Sequence, residues 1–540
     1  MNLRLFTALG LLALSQFHCN CRRATTSTPK MQSTRMNGHV VTLDAQGKLT
    51  PWRPYDRVVR LAFQGLARFP VQDNGLETWL AYSRFEPDTL AGVNWPNNPA
   101  GLNAMLVDSA LGWYAFSGDH APLDLAKRAL DHQLEHGTTP SQWSWARVPF
   151  SSAMPGATDY GGADDREFCG PEGQGDGACG RGDGIGVLEP DKVGELGYAY
   201  LRFFELTDDV KYRDAALACA SSLASHVREG DELHSPWPFR VYADSNTARD
   251  EYSGDVIGAI MLFDELARLS LANDAMFRAR GVAFRWLMTY PMQNDVWGGY
   301  FEDIPIYPTP GDNPNQYAPL QTAKYFLEHP ELDPAWKEHV AHLLSFVKKT
   351  FGVDVGDDSG VQFGAEVMSE QIADMAKMSS HTARFGAMNA LWAEKTGDEA
   401  AAERGYRSLN WATYWIDDKG IVKVGPDDRE GWWFSDGYGD YVRHFLVAMA
   451  AKPSWAPAGE SHLLRSTSVV KRVSITSTSI SYTAFDLSGD EVLRLSRAPR
   501  SITVDGESIG KIGLEVTSLG NDDVAVRLHR TGGHDVVIAW

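Results

Sequence analysis

A chain of 540 residues with 43% hydrophobic and 22% charged content is long enough to bury a large core and to hold more than one domain. Its formal net charge of −20 argues against nucleic acid and anionic membrane surfaces as partners, because both recruit basic patches. It bears less on an anionic glycan, which needs only one local basic pocket.

The N-terminal "MNLRLFTALGLLALS" places Arg4 before an apolar run from Leu5 to Leu14. That run is too short to span a bilayer as a mature helix and reads as a signal peptide over residues 1–15. Ala13 and Ser15 are the small residues a signal peptidase requires. The expected location is therefore extracytoplasmic, secreted or periplasmic. A lipid anchor at Cys19 is the alternative, although "QFH" before it lacks the small residues expected there. No later stretch is long and apolar enough to cross a membrane. Residues 16–37 are polar and Ser/Thr-rich, as in a disordered tether.

From Tyr55 to about Ala451 the pattern is helical. Val193, Leu196, Gly197, Tyr200, Leu201 and Phe204 form one apolar helical face, and Tyr438, Tyr441, Val442, Phe445, Leu446 and Met449 repeat that spacing. "VIGAIMLFDELARL" is apolar nearly all round, as an inner helix covered on both sides would be. Short turns recur at Ser117, Thr207, Asn273, Leu332 and Thr396, each ending one helix and offering a cap for the next. From the second turn on they lie about 60 to 65 residues apart, the mark of a repeated helical hairpin. About twelve helices, or six hairpins, are expected.

Six hairpins with alternating short and long connections imply a closed ring of inner helices inside a ring of outer ones. On that repeat, roughly residues 55–451 resemble the six-hairpin glycosidase superfamily, whose fold is an (α/α)6 toroid, and the toroid domain is expected over 38–451. The expected class is mainly α, with the toroid followed by a linker over 452–465 and a small antiparallel β-sandwich over 466–540. The tail alternates with period two: in "DVAVRLH", Val524, Val526 and Leu528 share one face. About seven strands are expected there.

Cys169 and Cys179 flank a Gly-rich loop, and an exported chain permits a disulfide between them. Cys219 reads as a buried helical residue. The long loops alternate with the short turns and so gather at one end of the ring. They carry Trp95, Trp143, Trp145, Trp237, Trp297, Trp432 and Trp433, which disordered loops avoid. A cleft rich in aromatic rings and carboxylates suits an oligo- or polysaccharide.

Glycoside hydrolysis needs two carboxyl groups across the scissile bond. Glu302 and Asp303 lie beside Trp297, Tyr300 and Phe301, where apolar rings raise a carboxyl pKa. Asp436 precedes the last inner helix, as a catalyst or an N-cap, and Asp440 is expected to pair with Arg443 or His444. Glu366 and Glu370 are weaker candidates. Tyr300, Trp297, Trp432 and Trp433 are expected to line the sugar cleft. Lyase or uronate epimerase chemistry fits the same loops. His381 and Arg384 open one inner helix, and Arg249 and Tyr252 stand at the expected start of another. A non-catalytic carbohydrate-binding protein is the third reading. No cofactor is expected; the acidic loop around the two cysteines would be the place for Ca²⁺, though it lacks the spaced pattern of a helix–loop–helix site.

Overall fold

Local turn chemistry sets the architecture. Helix Pro99–Ser117 stops at Gly118, whose φ of 74° lets its N–H return to the Tyr114 carbonyl. Asp119 Oδ1 then accepts from the Ala121 N–H at 3.1 Å and starts the next helix. Thr207-Asp208-Asp209 and Thr396-Gly397-Asp398 repeat the device, with Asp209 and Asp398 capping the following helices. Asn273 caps the helix after it through the Met276 N–H, and Asp333 accepts from the Ala335 N–H. Reversals this tight leave neighbouring helices antiparallel.

In the computed structural model the described residues are 35–540, apart from 87, 170–178, 302–308, 354–362, 374, 427–431, 434 and 511–512; at 432, 433, 435 and 436 only the backbone is described. Six helices form a ring: Pro99–Ser117, Pro190–Thr207, Ile257–Arg268, Tyr317–Glu328, Ser379–Thr396 and Asp440–Ala451. Each touches the next, and the last touches the first. Outside them pack Ala121–His136, Val210–His226, Asp274–Thr289, Trp336–Phe351 and Glu399–Ala412, each joined to the preceding inner helix by a short turn. The sixth outer helix is Tyr55–Leu66, the first in sequence, which packs on Asp440–Ala451. The two ends of the helical region thus close the ring, and the chain is an (α/α)6 toroid.

The long connections all enter the N-termini of inner helices. Short strand pairs tie them together: Arg84–Phe85 with Trp432–Trp433, and Val187–Leu188 with Arg240–Tyr242 and Thr247–Asp250. The latter pairing corrects one expectation. Arg249 and Tyr252 do not begin an inner helix; Arg249 is in a strand, and the helix starts at Ile257. The reason is local, since the Asp255 carboxylate accepts the Ile257 N–H at 3.1 Å and the chain before it is pinned to Arg240–Tyr242.

The tail forms two antiparallel sheets. His462–Ser466, Gly489–Leu495, Asp523–Arg530 and Leu514–Gly520 are bonded in that order; the other sheet runs Val470–Ile475, Ser479–Ala484, Asp535–Ala539, Ser501–Val504, Glu507–Ser508. Val524, Val526 and Leu528 lie in the sandwich core with Leu463, Tyr482 and Ile538. The sandwich sits at the short-turn end of the toroid. Arg465 grips Glu394 with two bonds of 2.9 and 2.8 Å, and Arg527 adds a third at 2.6 Å. The ring of His462 stacks on Phe116 at 4.0 Å. The N-terminal hairpin begins at Arg35 and packs through Met36 and Leu49 on Trp411, Tyr414 and Trp415.

Glu394 is a buried carboxylate holding two arginines from the other domain. Glu394→Ala is expected to cost roughly 2–3 kcal/mol, seen as a lower denaturant midpoint, because both guanidinium groups lose their counter-charge. Glu394→Gln should cost less, and an unchanged midpoint for Glu394→Ala would mean the junction carries no stability.

Candidate active site

Two glycines bring two inner helices into backbone contact. A Cβ on Gly194 would lie 2.4 Å from the Ala259 nitrogen, and one on Gly258 would lie 2.7 Å from Glu195 Cγ and 2.9 Å from the Glu195 nitrogen. Only hydrogens fit there. The contact sets Glu195, in the second turn of Pro190–Thr207, beside Asp255 at the entry to Ile257–Arg268.

Asp255 is buried, with 3% of its surface exposed. Its Oδ1 is taken by the Ile257 N–H, and its Oδ2 has no hydrogen-bond partner. Burial, reinforced by the nearby Glu195 and Asp191 carboxylates, pushes this carboxyl well above its ordinary range against the pull of Lys192. Asp191 is also buried; burial raises it to about 6, with Lys192 opposing and Glu195 adding to the rise. Lys192 sits among these acids, with Nζ 3.4 Å from Asp191 Oδ2 and 2.9 Å from the Tyr300 carbonyl. Its Nζ also stands 3.3 Å from the centre of the Tyr300 ring. Tyr300 turns its hydroxyl toward Glu195, 3.4 and 3.5 Å from the two carboxylate oxygens, and stacks on Tyr317 at 3.9 Å.

A second charged group faces the first across Tyr317. Arg384 lies over the Tyr317 ring at 4.4 Å and donates to Asp440. Asp440 also accepts from Arg443 at 2.6 Å and from His444 Nε2 at 3.0 Å. Burial alone would raise Asp440, but Arg384, Arg443 and His444 outweigh it and hold the carboxylate well below its usual range. Burial lowers His444 to about 3 despite Asp440, so its ring is neutral. Arg384 also donates to His381 Nδ1 at 3.0 Å. Arginine has no acceptor, so in the neutral His381 ring this bond puts the proton on Nε2, which lies 3.8 Å from Glu370 Oε1.

These groups stand at one end of a cavity of about 1480 Å³ along the toroid axis. All six inner helices contribute to its wall. Glu195, Asp255, Tyr317 and Arg443 line one end, and the β-sandwich lines the other. The volume exceeds the ~300–1,000 Å³ of an ordinary small-molecule site. "VIGAIMLFDELARL" is therefore not covered all round: Met261, Glu265 and Arg268 face this cavity.

The residues singled out from sequence fall in several places. Glu302 and Asp303 lie outside the described residues. Asp436 is in a π-helical turn, Ser435–Gly439, and the helix after it takes Gly439 as its N-cap. Trp432–Trp433 is a short strand. Tyr300, His381 and Arg384 come together around Tyr317. Trp297 is fully buried in the main hydrophobic core. Tyr252 donates its hydroxyl to the Val296 carbonyl, and Arg249 pairs with Asp165 at 3.0 Å. Glu366 pairs with Lys348 at 2.7 Å. Cys169 and Cys179 are joined by a disulfide, and Cys219 is buried. Among the described residues, the one group whose potential metal ligands converge is Glu167 with these two cysteines, whose sulfurs are already bonded to each other. Sequence reasoning missed Asp191, Lys192, Glu195 and Asp255. Their signal was polar residues among Gly and Ala at inner-helix starts, in "PDKVGELG" and "SGDVIGA".

No protein-family model matches the chain, and no curated protein matches it in sequence. Among solved structures it is similar to a D-mannose isomerase, with a TM-score of 0.52 and 11% identity over 73% of this chain and 96% of that one. It is also similar to a cellobiose 2-epimerase from Bacillus thermoamylovorans B4167, with a TM-score of 0.50 and 10% identity over 73% of this chain and 98% of that one. An unsaturated glucuronyl hydrolase specific for heparin overlaps at a TM-score of 0.45 and 12% identity, over 74% of this chain and 98% of that one. The shared feature is the six-hairpin toroid fold.

Asp255 and Asp191 hold protons more tightly in the folded chain than in the unfolded one. Their contribution to stability is full below the ordinary carboxylate range and is lost as pH rises, through about 6 for Asp191 and higher for Asp255. Asp255→Asn removes one of the two losses. Its unfolding free energy, followed by denaturant titration, should fall less steeply with rising pH than that of the wild type; parallel curves would refute the buried proton. Gly258→Ala should destabilise by about 1–3 kcal/mol through overpacking and lower activity as well.

Proposed function

We propose that the protein is a carbohydrate-active enzyme that hydrolyses a glycosidic bond, with Asp255 as general acid and Glu195 as the partner carboxylate. The observation that supports this most is the buried, unpartnered Asp255 Oδ2, on the wall of the axial cavity and close to a second carboxylate. A group in that setting is pushed toward its protonated form, and this oxygen has no hydrogen-bond partner within the protein. In the proposed step Asp255 donates this proton to the glycosidic oxygen as the bond to the anomeric carbon breaks. Water adds to that carbon and loses its proton to Glu195. Lys192 holds the acids together, and Tyr300 orients Glu195.

Proton abstraction, as in an epimerase or lyase, is the second reading. It draws on His381 and Arg384, and on the isomerase and epimerase that share the fold. The His381 tautomer weighs against it, because a ring with its proton on Nε2 is set to donate there, not to abstract. Export belongs to the proposal and rests on the apolar run from Leu5 to Leu14; N-terminal sequencing of the mature protein tests it.

A panel of glycans should release new reducing ends without the ultraviolet absorbance of an unsaturated uronate. That absorbance, or an epimerised sugar with no chain cleavage, would replace hydrolysis with the second reading, and no turnover of any glycan would favour a binding protein. Asp255→Asn and Glu195→Gln should each lower kcat by roughly 10²–10⁴-fold. Full activity in both, with loss in Asp303→Asn, Glu302→Gln or Asp436→Asn, would move the carboxylate pair to the loops.

A further inference from the structure

One acid of the cavity wall plays no part in the step above. Asp108 stands midway along Pro99–Ser117, in "AMLVDSALG", and is the one exposed residue of that helix. Its side chain is 49% open, and on an inner helix lining the cavity that open part faces the lumen. The groups nearest to it come from other helices of the ring. Lys324 belongs to the fourth inner helix, opposite the first, and its Nζ lies 4.0 Å from Asp108 Oδ2 and 3.9 Å from Glu328 Oε1. Arg443, from the sixth, brings Nη1 to 3.7 Å from the same Asp108 oxygen. Arg443 is only 8% exposed; its Nε and Nη2 donate to Asp440, while Nη1 makes no hydrogen bond among the described residues.

Distance sets this cluster apart from the other ion pairs of the wall. Arg202 and Arg268 close on Glu265 at 2.9 and 2.7 Å, and Arg465 and Arg527 close on Glu394 at 2.8 and 2.6 Å. Lys395 stands exposed at the sandwich end. Around Asp108 the gaps of 3.7 and 4.0 Å are too long for hydrogen bonds, although attraction still acts across them. Burial would raise the Asp108 pKa, but Lys324 and Arg443, with His444 and Arg202, outweigh it and hold the carboxyl below its ordinary range. A charged carboxylate and two cations thus meet across the lumen with hydrogen-bonding capacity left over. A hydroxyl both donates and accepts, so two neighbouring hydroxyls on a sugar ring donate to Asp108 and accept from Lys324 and Arg443 together. A ligand carboxylate competes with Asp108 for the same cations and is repelled by it.

We propose that Asp108, Lys324 and Arg443 form a sugar-binding subsite, in which two neighbouring hydroxyls of one saccharide unit bridge the carboxylate and the cations. The proposal rests on the reading of the cavity as a glycosidase site and adds specificity-determining residues to it. Lys324 follows Tyr317 by two helical turns, roughly 10 Å along the same helix, so the subsite lies beside the carboxyl pair and not on it. It reads hydroxyls, whatever groups the rest of the chain carries.

The test is calorimetric titration of full-length Asp255→Asn protein, alone and combined with Asp108→Asn or Lys324→Gln, with circular dichroism to confirm folding. The titrants are neutral gluco-, manno- and xylo-oligosaccharides and uronate oligosaccharides of matched length. For at least one series, each added substitution should lower affinity about tenfold or more, because each removes one charged partner of the same hydroxyl pair. A site for an anion responds with opposite signs: Asp108→Asn would tighten uronate binding while Lys324→Gln weakened it, and that split would overturn the proposal. Unchanged affinity in both folded variants, or no binding of any titrant, would overturn it as well. With Asp255 restored, both substitutions should raise KM more than they lower kcat. Cleavage with KM unchanged in both would remove the subsite and leave hydrolysis standing. Binding weakened by both, with no cleavage of any titrant by the wild type, would instead overturn hydrolysis and leave the subsite standing.

Discussion

Gly194 rests on the backbone of Ala259, and Gly258 rests on that of Glu195, with no room for a side chain at either point. Everything argued for the site depends on this contact. It lets two inner helices approach until their N-terminal acids share one small volume, and the ring of six helices holds them there. An acid alone on a helix surface keeps its ordinary pKa. Asp255, sealed in beside Asp191 and Glu195, is pushed upward by burial first and by those two carboxylates next, with Lys192 pulling the other way. The fold thus sets the protonation state through packing.

The same economy governs the other polar groups of the axis. Asp440 is buried and held in its charged form because two arginines and a hydrogen-bonding histidine surround it, and those side chains are fixed in turn by Asp440. One such group is held toward its charged form while its neighbour across Tyr317 is pushed toward its protonated form. Two environments on either side of Tyr317 push carboxyl groups in opposite directions, the pattern that separates acid from base in hydrolytic sites.

Much of the fold was legible in the chain. Ser117-Gly118-Asp119, Thr207-Asp208-Asp209 and Thr396-Gly397-Asp398 announce their turns in short-range chemistry, and a repeat of turns implies a ring. The alternation around Val524, Val526 and Leu528 likewise reads as a half-buried strand. The sixth hairpin was less visible, because Tyr55–Leu66 meets its partner only through closure of the ring. The strand His462–Ser466 was read as linker up to residue 465: adjacent Leu463 and Leu464 break the alternation, and a register shift follows in the structure. Glu507–Ser508 is too short to signal at all.

The site was harder to read, and the reason is physical. Loop carboxylates such as Asp303 and Asp436 draw the eye because aromatic rings stand beside them in sequence. Glu195 and Asp255 become neighbours only when two glycines sixty-odd residues apart meet in space. The most direct measurement of the central claim is the infrared spectrum of the protein at neutral pH, wild type against Asp255→Asn. The account predicts a carbonyl-stretch component of a protonated carboxylic acid that the substitution removes. A spectrum in which Asp255→Asn removes only carboxylate absorption would show that Asp255 is ionised and would contradict the account.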